Sequence, residues 1–417
     1  MKKRFLAFMV CMAVLLASFT GCYSAQDGPS TLSSSQTMQS NSGSAAENSV
    51  EIRTYGIPEE NVQANIIYVP SPSTGGFWTC AVFNAKTIQA YDPTTKTAYF
   101  PCYQAGCKHT DASCTANFGG VISGFAEYRG NFYAMIYYND ETASAFVTRP
   151  VSGGPLKVLA SWEPENENEE CRCGFYGLSF GKAYLTVSKE TYAMKDGQTE
   201  SVKEEYSKCS LDLETGELVE YMADEDGYLP YMHGVWGDVA VFQDWYADRP
   251  DGTPVKRDGS EDYNFRLYSK NLRTGEEKTI VDVTENFIWT ADPHVSWGQY
   301  TVYQVDRSVY VYDMETQTSK KLFTHEPGWD FYNYMIQDGH VMVIGGTEDT
   351  CRAWAVDIAD GSVIELDTRG GNVVAFGANY ECNGYFAGLK RNSSGDFEQC
   401  YISKEDFYRS NYDAAFR

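Results

Sequence analysis

The sequence predicts an all-β protein folded as a β-propeller of four-stranded blades, and three observations support that expectation. From about residue 51 onward, short runs rich in Val, Ile, Tyr, Phe and Thr alternate with Gly, Asp, Asn and Ser, which is the pattern of successive antiparallel strands. A Gly in a tight turn before an apolar alternating strand recurs at Gly76, Gly130, Gly181, Gly237, Gly298, Gly339 and Gly384. A second turn type follows an apolar strand at Asp92, Ser152, Asp212, Asn271, Asp313, Asp357 and Ser403, interleaved one for one with the first. The second series is spaced by 60, 60, 59, 42, 44 and 46 residues, a blade-sized period. Seven blades is the direct count; six and eight also fit, and a β-sandwich with chance spacing is the competing fold.

Composition agrees with one large β domain. The 417 residues are 43% hydrophobic and 15% aromatic, enough for a sizeable core, and the 31 Tyr suit strands. With 33 Lys plus Arg against 57 Asp plus Glu the net charge is -24, and no basic cluster lies beyond the first residues. A polyanion needs a basic face to displace its counterions, so nucleic acid is excluded as a partner.

Taken in order, the chain opens with Lys2, Lys3 and Arg4, an apolar run from Phe5 to Phe19, and then Thr20, Gly21 and Cys22. Fifteen apolar residues fall short of the roughly 20 that span a bilayer, so residues 1–21 read as a secretory signal. The small residues before Cys22 resemble the lipobox of bacterial lipoproteins, which implies that Cys22 is lipidated and becomes the mature N-terminus. Phe19 departs from that pattern, where Leu is usual, and ordinary cleavage a few residues later is the alternative. Loss of the three cations takes the net charge from -24 to -27. Residues 22–50 then form a tether: nine Ser among residues 24–50 and no aromatic after Tyr23 leave too little apolar surface to order it, and it reaches roughly 30 Å.

Residues 51–417 make up the propeller domain. After Ser403 little chain is left for the outer strand of the last blade. One chain end is expected to complete it, and the segment from Glu51 to Ile57 is the favoured one because an open edge invites aggregation.

Cys102, Cys107, His109 and Cys114 stand within thirteen residues. Three thiolates and an imidazole form a closed tetrahedral zinc shell of structural type. Disulfide pairing is the alternative in an exported protein, with Cys80 as a further partner. Cys382 with Cys400, and Cys171 or Cys173 with Cys209, are weaker candidate pairs.

Behind a lipobox and a Ser-rich tether, the stretch from Cys102 to Cys114 resembles a broad group of surface lipoproteins of Gram-positive anaerobes. Their domain is described as of unknown function or as similar to TolB-type propellers. That resemblance implies a propeller at the cell surface and no established activity.

Other motifs carry less. Gly177-Leu-Ser-Phe-Gly181 matches a nucleophile elbow, but a strand pattern follows where a helix is required, so Ser179 is not expected to be catalytic. His233, His294 and His325 are scattered; His340, beside a blade Gly, reads as a surface turn, and His325 with Glu326 and Trp329 as a loop between blades. The acidic loops Glu163 to Glu170 and Asp248 to Asp262 lack calcium-loop spacing and read as solvated. The expected function is a monomeric, lipid-anchored extracytoplasmic module that binds or scaffolds a protein, peptide or glycan and meets the membrane through its anchor only. The competing class is a glycan-directed hydrolase or lyase with acids at the central channel. Catalysis is left open, and no cofactor other than the zinc is implied.

Overall fold

The computed structural model describes residues 52–416 except 56–57, 65–68, 81–85, 112, 139–141, 196, 225–228, 246, 250, 254–263, 283–286, 289–295, 326–329, 348–349, 368–372, 375–380, 383 and 392–396. The signal sequence, Cys22 and the tether lie outside the described residues.

Seven antiparallel sheets form a ring: blade 1 spans residues 69–99, blade 2 121–162, blade 3 169–224, blade 4 231–281, blade 5 287–324, blade 6 330–366 and blade 7 373–403. Every Gly marker lies between the first two strands of a blade, and every member of the second series ends a third strand except Ser152, which lies two residues past one. The second series works by one device. The side-chain oxygens of Asp92, Asp212, Asn271, Asp313 and Asp357 each accept from the two backbone N–H groups two and three residues on, closing the turn locally. In blade 7 the equivalent residue Ser403 instead caps a short helix, Lys404–Tyr408, by accepting from Asp406 N at 3.0 Å.

The long intervals in the first half are decoration on a constant blade. An insertion at 100–115 follows blade 1. The second and third strands of blade 3, Lys182–Lys195 and Gln198–Asp212, overhang the ring, and a long connection at 245–265 interrupts blade 4.

Alternation along each strand supplies both faces of a blade. In the second strand of blade 2, Asn131–Tyr138, Phe132, Ala134 and Ile136 pack toward blade 1 with Trp78 and Ile88. Tyr133 and Met135 pack toward blade 3 with Leu178 and Leu185. Burying one such side chain contributes about 1.5–3 kcal/mol, available only when a neighbouring blade is present.

The expected closure by residues 51–57 is not made by its described residues, 52–55, which carry no strand. The C-terminal tail returns instead: after the helix and a 3-10 turn, Tyr412–Ala414, Phe416 exchanges backbone hydrogen bonds with Tyr401 of blade 7 at 2.7 and 2.9 Å. Blade 7 meets blade 1 through stacked Tyr91 and Tyr401 rings, 3.9 Å between centroids, and Lys96 lies 4.1 Å above the Phe416 ring. The edge is therefore served from one chain end, which leaves the other for a different task.

Phe132→Ala, which opens a cavity in a seam, is expected to lower unfolding free energy by about 3–5 kcal/mol in urea titrations, whereas the exposed Val158→Ala changes it by under about 0.5 kcal/mol.

Candidate functional site

Residues 52–55 and 58–64 cross the ring at the face carrying the Gly turns and enter its axis. Arg53 pairs with Asp360 of blade 6 at 2.6 Å, and Glu60 pairs with Arg129 of blade 2 at 2.7 Å. Asn61–Gln63 then adds as a fifth strand to the inner strand of blade 3, with Asn61 opposite Ser179 and Gln63 opposite Gly177. The Asn61 side chain donates to Val235 O of blade 4, and Gln63 Nε2 donates to Ser296 O and Oγ of blade 5 at 2.9 and 2.6 Å. Two glycines make room for this strap. A Cβ on Gly177 would stand 2.4 Å from Val62 O, and one on Gly339, already at φ 65°, would stand 2.5 Å from the Tyr55 ring. The strap thus bridges blades 3, 4 and 5 across the axis at this face.

Tyr55 is held by a buried polar cluster. Its N–H donates to Asp338 at 2.6 Å, its hydroxyl donates to Asp357 at 2.8 Å, and its carbonyl accepts from Lys404 Nζ at 2.9 Å. Lys404 also bridges Asp338 of blade 6 and Glu381 of blade 7 at 2.7 and 2.9 Å, all three side chains being no more than 4% exposed. Trp297 donates to Glu381 at 2.6 Å and Tyr408 to Asp338 at 2.9 Å. Burial pushes Asp338 and Glu381 above the usual carboxylate range, with Lys404 opposing it. For Lys404 itself burial acts downward, and the two carboxylates outweigh it, so its net shift is upward. One cation shared by two acids leaves a buried negative charge in excess.

The Cys/His insertion lies at the outer rim. The outermost strand of blade 1 comes in two pieces. Thr97–Tyr99 pairs with residues 90–92, and residues 116–118 then rejoin the same edge, with Asn117 opposite Thr87 and Phe118 N donating to Lys86 O at 2.8 Å. Between the pieces the chain loops out and folds back. Cys107 N donates to Gln104 O across a turn containing Gly106 at φ 72°, and His109 takes φ 59°, a left-handed conformation costing about 1–2 kcal/mol. These turns gather Cys102, Cys107, His109 and Cys114 so that their ligand atoms all lie within 4.8 Å of one another. Tetrahedral zinc–thiolate bonds place sulfurs about 3.8 Å apart, so the cluster could close on one ion with little movement. His109 Nδ1 is the inward nitrogen, 3.2 Å from Cys114 Sγ, and Phe100 stacks on the ring at 4.2 Å. A backbone N–H at Gln104 pulls the Cys102 thiol down to about 6, whereas burial pushes Cys114 up to about 11. Arg149 of blade 2 donates to Cys114 O at 3.0 Å and Thr115 O at 2.5 Å.

Other residues singled out from sequence take structural places. Ser179 is buried and accepts from Gly237 N at 3.1 Å, with a strand after it. His340 is not a surface turn: it is 1% exposed, its Nδ1 2.7 Å from Asp338 O, because Tyr55 and Tyr408 cover it. His233 is buried against Gln243 at 2.8 Å, and burial brings it down to about 4. Lys189 bridges Glu165 and Glu169 of the first acidic loop at 3.0 and 3.4 Å. Residues 254–263 of the second, His294 and Glu326 to Trp329 lie outside the described residues. Cys382, Cys171, Cys173 and Cys209 are buried with free thiols, so the candidate pairs expected for them are not formed. Sequence reading missed Tyr55, Asp338, Glu381, Lys404 and Arg149. Asp338 and Lys404 each adjoin a turn marker, which is the only local sign they give.

No family model and no curated protein sequence matches the chain. Among solved structures it is similar to a prolyl endopeptidase at 15% identity and TM-score 0.45, over 68% of this chain and 41% of that one. It is also similar to an oligogalacturonate lyase in complex with manganese at 10% and 0.42, over 83% and 98%, and to TolB from Acinetobacter baumannii at 12% and 0.28, over 71% and 63%. The chain thus spans under half of the endopeptidase. These likenesses concern the propeller fold alone.

Lys404→Met strands two buried acids and is expected to cost about 3–5 kcal/mol at pH 7. Acids whose folded pKa is raised bind protons more tightly when folded, so the stability this gives is full in acid and lost as pH rises through the folded value. Denaturant titrations across pH 4–8 should therefore show the variant's deficit shrinking at the acid end.

Proposed function

We propose that this chain is a lipid-anchored extracytoplasmic propeller that binds or scaffolds a protein, peptide or glycan. The observation that carries this reading is the strap across the axis. Catalytic acids at a central channel need an open, substrate-sized pocket, and here Tyr55 and residues 58–64 lie across that place at one face with backbone hydrogen bonds and packed rings. Binding then falls to the loops at the opposite face and the rim, where specificity can vary without disturbing the sheets. The lipobox-like Cys22 and the Ser-rich tether support attachment at the cell membrane, and the net charge of -27 after processing supports a partner other than nucleic acid.

The zinc belongs to the same reading. Three thiols and an imidazole that share no metal-bound water position suit a structural ion, and the left-handed His109 is a strain that metal binding offsets. Zinc here would tie the blade 1 insertion down and take no part in chemistry.

Labelling cells with a fatty-acid analogue should mark the wild-type chain and not Cys22→Ala; an unmarked wild type removes the anchor. The Cys22→Ala form, probed on glycan and peptide arrays, should bind without turning substrate over, and glycan cleavage would overturn the binding reading. Native mass spectrometry should show one zinc per chain, lost at low pH; a mass reduced by two hydrogens per bridge would mean disulfides instead.

A further inference from the structure

We infer that Arg149, on the neighbouring blade, is the charge-compensating positioning residue of the Cys/His metal centre, so that metal binding by the blade 1 insertion locks blade 1 to blade 2. The inference rests on the zinc reading of that cluster.

The charge balance comes first. A divalent ion held by three thiolates and a neutral imidazole carries a net charge of -1, which a half-buried site must offset. Arg149 is 3% exposed, and no carboxylate lies within ion-pair distance of it among the described residues. Its Nε has no hydrogen-bond partner there either. A buried guanidinium without an acid is costly, and this one turns its Nη1 onto the carbonyls of Cys114 and Thr115, the ligand-bearing peptide itself. The unbalanced cation and the excess anion therefore lie on opposite sides of one seam.

Geometry supplies the coupling. Cys114 is the buried ligand, and two residues later Ala116 O accepts from Ile88 N at 3.0 Å, starting the second piece of the outer strand. Phe118, at the end of that piece, is fully buried in the core between blades 1 and 2, with the Arg149 guanidinium carbon 5.2 Å from its ring centroid. Thr115 Oγ1 donates to Pro101 O at 2.7 Å, tying the two ends of the insertion together. A metal that fixes Cys114 thus fixes the register of residues 116–118, and Arg149 holds that register against blade 2.

Cobalt titration of the mature chain, read by its thiolate-to-metal absorption in competition with a chromophoric chelator, tests this. Arg149→Met should weaken the metal about 10–100-fold, with Arg149→Lys recovering part of the loss. Wild-type affinity in a folded Arg149→Met chain overturns the assignment. Should Arg149→Met not fold, hydrogen exchange on the wild type decides: chelation should speed exchange at residues 86–88 and 116–118 and leave blades 4 to 6 unchanged, whereas no change or a uniform change overturns the lock. A wild-type chain that takes up no cobalt overturns the zinc reading itself and the assignment with it.

Discussion

A sheet that is apolar on both faces cannot stand in water, and everything else in this molecule follows from that constraint. Each blade must be covered twice, so blades stack until the last meets the first. The seams are built from alternating side chains of neighbouring strands, as in blade 2, where Phe132 faces one way and Tyr133 the other. Apolar seams are non-directional, and they tolerate insertions wherever a strand end reaches the rim.

Directional contacts gather near the axis. Near the axis the inner strands of blades 5 and 7 include Phe287–Ile288 and Ser296–Trp297, and Val373–Val374 and Glu381–Cys382. Here Lys404, Asp338, Glu381 and Tyr55 bring hydrogen bonds and charge to bear on blades 5, 6 and 7 together with the strap. Glu127 plays a related part between blades 1 and 2, accepting from Ser71 at 2.8 Å, from Ser73 N at 2.9 Å and from the Trp78 indole. Such buried polar contacts add little net energy, but they admit one arrangement only, which supports a unique axis. The Cys/His insertion does the same at the rim, where an outer strand is broken in two. Axis and blade 1 edge are thereby each held in one arrangement by contacts that the apolar seams alone do not supply.

Much of the fold was legible because its signals are local. A Gly that turns left-handed, or an Asp that accepts from the amides two and three residues on, marks its position whatever surrounds it, and both series fall where a propeller needs them. The Cys/His cluster was legible for the same reason, its four residues lying within thirteen of one loop. The strap was misread because Glu51 to Ile57 carries a strand-like pattern that fits an outer edge as well as an axis. His340 was misread because its cover comes from Tyr55 and Tyr408, at the two ends of the chain.

The sequence by itself therefore determined the β class, the seven repeats, the turn at each blade and the composition of the Cys/His cluster, since each depends on residues a few positions apart. Only the tertiary structure decided where the N-terminal segment goes, which acids share Lys404, and that Arg149 stands against Cys114. Those contacts join residues as far apart as Tyr55 and Lys404, 349 positions along the chain. No local pattern encodes them; they exist only once the ring has closed and brought both chain ends to the same face.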